Sequence, residues 1–167
     1  SPIRPSSTVE LNINGGIHDV VIKNLNLNGS INITGPAARV CDSGSPQRIS
    51  AENIHFLSGG FSENGGCNIT IKDSVFDAGG ISFSNAYANN TGCQALRNTI
   101  NGDLWLYNSS SMLIEGNTIN GKLQAFGEYS YAYNNVFRNN TLTSSIGYAD
   151  TYDVFRIRNQ RNATVDH

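Results

Sequence analysis

An all-β chain coiled as a solenoid is what this sequence predicts, on three observations. A short phrase recurs: NLNLNG at 24–29, SVFDAG at 74–79, RNTING at 97–102, GNTING at 116–121 and NNTLTS at 139–144. A strand-like alternating segment precedes each copy, and a second short alternating segment follows most of them. No helix of convincing length can be drawn anywhere. Repetition at this spacing means that each repeat is one turn, whose apolar face is buried only by its neighbours.

Each repeat is anchored on the apolar residue inside the phrase: Leu27, Phe56, Phe76, Ile100, Ile119 and Leu142. The anchors are unevenly spaced, so the core phrase is constant and the loops vary. Seven residues before the anchor stand Val20, Ile49, Ile69, Cys93 and Met112; five before stand Ile22, Ala51, Ile71, Ala95, Ile114 and Phe137. Four to six after it come Ile31 and Ile33, Leu104 and Leu106, Leu123 and Ala125, then Ile146 and Tyr148, with Ile81 and Phe83 fitting after a shift of one residue. Period-two alternation points these residues inward on short strands stacked about 4.8 Å apart.

The remaining positions behave as an outside. Lys23, Glu52, Lys72, Glu115 and Arg138 share one column with Leu96, with signs alternating wherever charged neighbours are adjacent. Opposite charges on neighbouring strands favour this register modestly. Asn98, Asn117 and Asn140 form a short Asn column at a turn, where stacked amides bond along the axis. Gly29, Gly102 and Gly121 mark a tight corner, with Ser58, Ala78 and Ser144 as the small equivalents in other repeats.

This pattern resembles the right-handed parallel β-helix superfamily, which includes pectate lyases and bacteriophage tailspikes. The resemblance spans roughly residues 17–150 and implies the right-handed coil; the length accommodates about six to seven rungs. An antiparallel β-sandwich of similar short strands is the competing architecture, but sandwiches rarely keep column identities through so many repeats. Residues 1–16, with Pro2, Pro5 and the Gly15–Gly16 pair, read as an entry segment; 17–150 is the β-helix; 151–167 is a terminal strand and polar tail. Insertions interrupt the rungs at 35–46, 84–92 and 127–135, and the end rungs lack an obvious polar cap.

Charged residues make up only 14% of the chain and the formal net charge is −2, so the basic footprint of a nucleic-acid binder is missing. No apolar run reaches the ~18 residues of a membrane span, so no membrane insertion is expected. No signal peptide is visible and the sequence starts at Ser1 without Met, which reads as a fragment or a processed product. Cys41, Cys67 and Cys93 are evenly spaced but fall at different offsets in the repeat, which argues against a three-thiolate metal site. They read as buried or semi-buried free thiols, with a Cys41–Cys67 disulfide as the alternative. The sequons at Asn32, Asn68, Asn89, Asn108, Asn139 and Asn162 read as compositional in a chain this rich in Asn, Ser and Thr.

One patch carries the functional expectation. With Leu104, Leu106, Leu123 and Ala125 inward, Trp105, Tyr107, Gln124 and Phe126 point outward, followed directly by Glu128, Tyr129 and Tyr131. Flat aromatic faces flanked by amides and acids suit a sugar, and equally a subunit interface. Glu128 and Asp150 lie just past the same strand on consecutive rungs, roughly 5 Å apart, a spacing used by retaining glycosidases. Turn-end acids of no catalytic role explain them as well, with Asp103 and Asp153 nearby. The active-site motifs of polygalacturonases, pectate lyases and alginate epimerases have no counterpart, beyond an echo of one in Arg156-Ile157-Arg158. The resemblance therefore implies a phage tailspike or tail-fibre β-helix, a homotrimer on the virion or extracellular, recognising bacterial surface polysaccharide with cleavage left open. A secreted polysaccharide hydrolase or lyase and a purely structural trimeric shaft module are the alternatives. No cofactor and no metal are expected.

Overall fold

A computed structural model describes residues 8–35, 41, 43–84, 90–127, 132–143 and 155–166. Among these residues the chain is all-β, without a helix, and every strand pairing is parallel. Almost all strands join one curled sheet, an arrangement compatible with a parallel β-solenoid.

Three faces organise it. The first stacks 18–23, 47–52, Cys67–Lys72, Gln94–Leu96, Leu113–Glu115, Val136–Arg138 and Thr164–Asp166. The second stacks 25–27, 54–56, Val75–Phe76, Thr99–Ile100, Thr118–Ile119 and Thr141–Leu142. The third stacks Val9–Asn14, 31–34, Phe61–Asn64, Ile81–Ser84, Leu104–Tyr107, Leu123–Phe126 and Phe155–Arg158. The inward columns are those expected: Ala51, Ile71, Ala95 and Ile114 are fully buried in register, as are Phe56, Phe76, Ile100 and Ile119. The Phe56 and Phe76 rings stack with centroids 4.4 Å apart. Each fully buried Ile or Phe contributes on the order of 1.5–3 kcal/mol. Val20, Ile22 and Leu27 at one end and Leu142, Phe155 and Ile157 at the other are only partly buried, since each has a neighbour on one side.

Corners are built from left-handed backbone in register. Asn24, Asn53, Asp73, Arg97, Gly116 and Asn139 form one such column, all with φ between 51° and 68°. Asn, Asp and Gly adopt this conformation most readily. Arg97 does so while its guanidinium holds the Asp73 carboxylate below it at 2.7 and 2.9 Å. The alternating charge column is observed, with Lys72–Glu52 at 3.1 Å and Arg138–Glu115 at 3.0 Å, and it runs on to Asp166 opposite Arg138.

The structure corrects several expectations. The glycine column is Gly29, Gly59, Gly79, Gly102 and Gly121; Ser58 and Ala78 are not its members. A register shift after Leu27 lengthens the corner by one residue in the next two repeats, which a fixed count from the anchor misses. The strand over Leu123–Phe126 is Phe155–Arg158, so Phe155 and Ile157 take the places expected for Ile146 and Tyr148, which lie outside the described residues. Cys41 and Cys67 are disulfide-bonded, with Cα atoms 6.0 Å apart, whereas free thiols were the first reading. Their different offsets do not matter, because Cys41 sits in a loop free of the register. Cys93 is a buried free thiol.

Candidate functional site: a groove on the third face

The outward positions of the third face change character along the stack. One column runs Asn12, Asn32, Ser62, Ser82, Trp105, Gln124, Arg156. Beside it, across the corner, run Ser30, Gly60, Gly80, Asp103 and Lys122. Small hydroxyls, amides and bare backbone fill the first half, and an indole, a phenyl ring and guanidinium groups fill the second.

The change leaves an open groove of about 550 Å³. Its floor is Ser62, Ser82 and the glycine corners, and Trp105 closes one end. The glycines cannot be replaced by anything larger. A Cβ on Gly79 would lie 1.9 Å from the Gly59 carbonyl oxygen, and one on Gly80 2.0 Å from that of Asp103. Corners must pack this closely for neighbouring strands to pair, so the groove is floored by peptide backbone.

Trp105 is held at the end of the groove by its neighbours. Its Nε1 donates to Asp103 Oδ2 at 3.3 Å, while Asp103 Oδ1 accepts from the Lys122 backbone N–H at 2.8 Å. The indole lies 6.2 Å from the Phe126 ring, tilted 55°. Phe126 in turn lies under Arg156, whose Cζ is 5.5 Å from the ring centroid. Trp105 remains 42% exposed, enough of an aromatic face to stack on a ligand.

Of the residues expected to bind, Trp105, Tyr107 and Phe126 do lie together on the outside. Gln124 takes an outward register position as expected, between Trp105 and Arg156, yet is only 5% exposed. Glu128, Asp150, Tyr129 and Tyr131 lie outside the described residues, as does Asp153. The one-step spacing of Glu128 and Asp150 rested on stacking 146–148 over Leu123 and Ala125, where Phe155 and Ile157 are found.

Sequence reasoning missed the groove floor and Arg156, which become visible once the glycine column and the last strand are in register. It also missed Glu63, an acid in an inward column between Ile33 and Phe83. Burial pushes its carboxyl up to about 8, although the Gly66 backbone N–H donates to it and pulls the other way. The Cys93 thiol, buried near it, is pushed well above its ordinary range by burial first and by Glu63 second. Among the described residues no three His, Cys, Asp or Glu side chains are grouped to hold a metal ion.

Comparison with protein-family models, curated proteins and solved structures found no match to the chain, so its function is read from this geometry alone.

Proposed function

We propose that the chain is a right-handed parallel β-helix of about six to seven rungs that recognises bacterial surface polysaccharide, as the receptor-binding part of a homotrimeric phage tailspike or tail fibre. The observation that carries the polysaccharide reading is the groove floored by Ser62, Ser82 and bare backbone and closed by the exposed indole of Trp105. An elongated, open trough of hydroxyls, amides and peptide groups suits a flexible, hydroxyl-rich chain, and the indole offers a flat face to the C–H side of a sugar ring.

The disulfide favours a second reading, a secreted polysaccharide hydrolase or lyase. Cys41–Cys67 belongs to an oxidising compartment, which a secreted enzyme encounters before it folds and a cytosolically assembled particle does not. Release of reducing ends or unsaturated sugars from a bound polysaccharide separates the two.

Trp105→Ala tests the groove. It is expected to keep the thermal unfolding midpoint and to lose about 1–3 kcal/mol of polysaccharide binding in a titration. Unchanged affinity would take Trp105 out of the site. Loss of an oligomer in light scattering would make the aromatic patch a subunit interface instead.

A further inference from the structure

Among the described arginines, three pair with a carboxylate on a neighbouring strand and two on the last strand of the third face do not. Arg48 is bonded to Asp19 at 2.6 Å, Arg97 to Asp73 at 2.7 Å and Arg138 to Glu115 at 3.0 Å. Arg156 and Arg158 have no carboxylate partner among the described residues, and Arg156 lies over the Phe126 ring. They lie two residues apart on Phe155–Arg158 and both face outward, Arg156 in column with Trp105 and Gln124, Arg158 in column with Tyr107 and Phe126. Two arginines without a carboxylate partner among the described residues therefore sit beside the aromatic wall of the groove.

The Arg156 guanidinium lies over the Phe126 ring, a contact to a π-face that needs none of its N–H donors as hydrogen bonds, and those donors suit the two-bond geometry that carboxylates and phosphates share. Asp103 lines the groove beside Trp105, on the same turn, and repels an anion there. Trp105 and Arg156 are two strand steps apart, roughly 10 Å, about the reach of neighbouring sugar units.

We infer that Arg156 and Arg158 form an anionic subsite. The polysaccharide recognised is acidic, its carboxylate- or phosphate-bearing sugar lies over Phe126 and Arg156, and its neutral sugars run past Trp105 into the Ser62–Ser82 groove. This rests on the polysaccharide reading above and fixes the ligand's charge and its order along the face.

The test uses the intact chain on an array of purified capsular and O-antigen polysaccharides, half neutral and half carrying uronic acid or phosphate. Each acidic hit is measured again after chemical reduction of its carboxyls, and separately after removal of its phosphates, which tells the two anion sources apart. Binding is expected only to acidic chains, to vanish when the anion is removed, and to weaken steeply with salt. Arg158→Gln, at an exposed side chain, and Arg156→Gln are each expected to weaken binding about tenfold or more without shifting thermal unfolding. Equal binding to an acidic chain and its neutralised form, or hits among neutral chains alone, would overturn the inference and leave the polysaccharide reading standing. Binding to no chain on the array would overturn both.

Discussion

Glu63 is the residue at which the fold works against water. Unfolded, its carboxyl ionises near the ordinary 4.5; folded, burial between Ile33 and Phe83 keeps it neutral up to about 8. Below pH 4.5 both states hold the proton and it makes no difference to stability. Between 4.5 and 8 the folded state binds a proton that the unfolded state has lost, so stability falls as pH rises, by up to about 1.4 kcal/mol per unit. The Asp19, Glu52 and Asp73 carboxyls are held below their ordinary range by Arg48, Ser50 and Arg97 respectively, so their contribution is lost only as pH falls well into the acid range, outside this window. Urea unfolding at pH 5, 6.5 and 8 is expected to show wild-type stability falling by a few kcal/mol. Glu63→Gln, whose amide oxygen still accepts from the Gly66 N–H, is expected to flatten that slope. A slope shared by both proteins would place its origin elsewhere. The sequence hid this residue because Phe61-Ser62-Glu63 breaks the apolar alternation at its third position, and only the register of Ile33 and Phe83 shows that it points inward.

At the scale of elements, the ladder Asn98–Asn117–Asn140 does what an aliphatic column cannot. Each amide bonds the next, Asn98 to Asn117 and Asn117 to Asn140, both at 3.0 Å. Each also serves the backbone at the corner: Asn117 donates to the Ala95 carbonyl at 2.9 Å and accepts from the Asn98 N–H at 2.9 Å. Asn98 and Asn117 are 1% exposed, so a broken bond here is not replaced by water. Asn117→Ala is expected to cost roughly 2–4 kcal/mol in urea unfolding, the penalty of leaving several buried groups unpaired. A loss under about 0.5 kcal/mol would mean that water enters the corner. This ladder was legible in the sequence because its offset from the anchor is constant over three repeats. The glycine column was legible at Gly29, Gly102 and Gly121 but not at Gly59 and Gly79, where the corner gains a residue, and the groove above those two was hidden with them. The Phe155–Arg158 strand was misplaced for a related reason: the segment before it is long, and no local pattern fixes how much chain a loop consumes. Variable loops therefore erased the half of the site that depends on counting across them, while Trp105 and Phe126, which lie on the strands that directly follow the phrase, were found.

Across the whole molecule, each strand hydrogen-bonds the strands directly before and after it in its stack, so strand pairing adds up as local terms along one axis. Strands in the middle have two partners and bury Ile71, Phe76, Leu104 and Ile114 completely. The ends have one partner, and the large apolar side chains left exposed there include Val9, Leu11, Val21 and Val165. Hydrogen exchange is accordingly expected to be slowest over residues 67–119 and to quicken toward 9–25 and 155–166. Two substitutions probe the same gradient. Leu106→Asp, at a side chain 1% exposed in the middle of the third face, buries an unpaired charge between Phe83 and Ala125 and is expected to cost more than about 4 kcal/mol. Val165→Asp, at 55% exposure on the last strand of the first face, is expected to cost under about 1 kcal/mol and to speed exchange only near that end. Slow, even exchange along the entire chain, together with a strongly destabilised Val165→Asp, would show that the end strands are covered in solution. The mass by light scattering then identifies the cover as a second copy when it exceeds that of one 18.0 kDa chain.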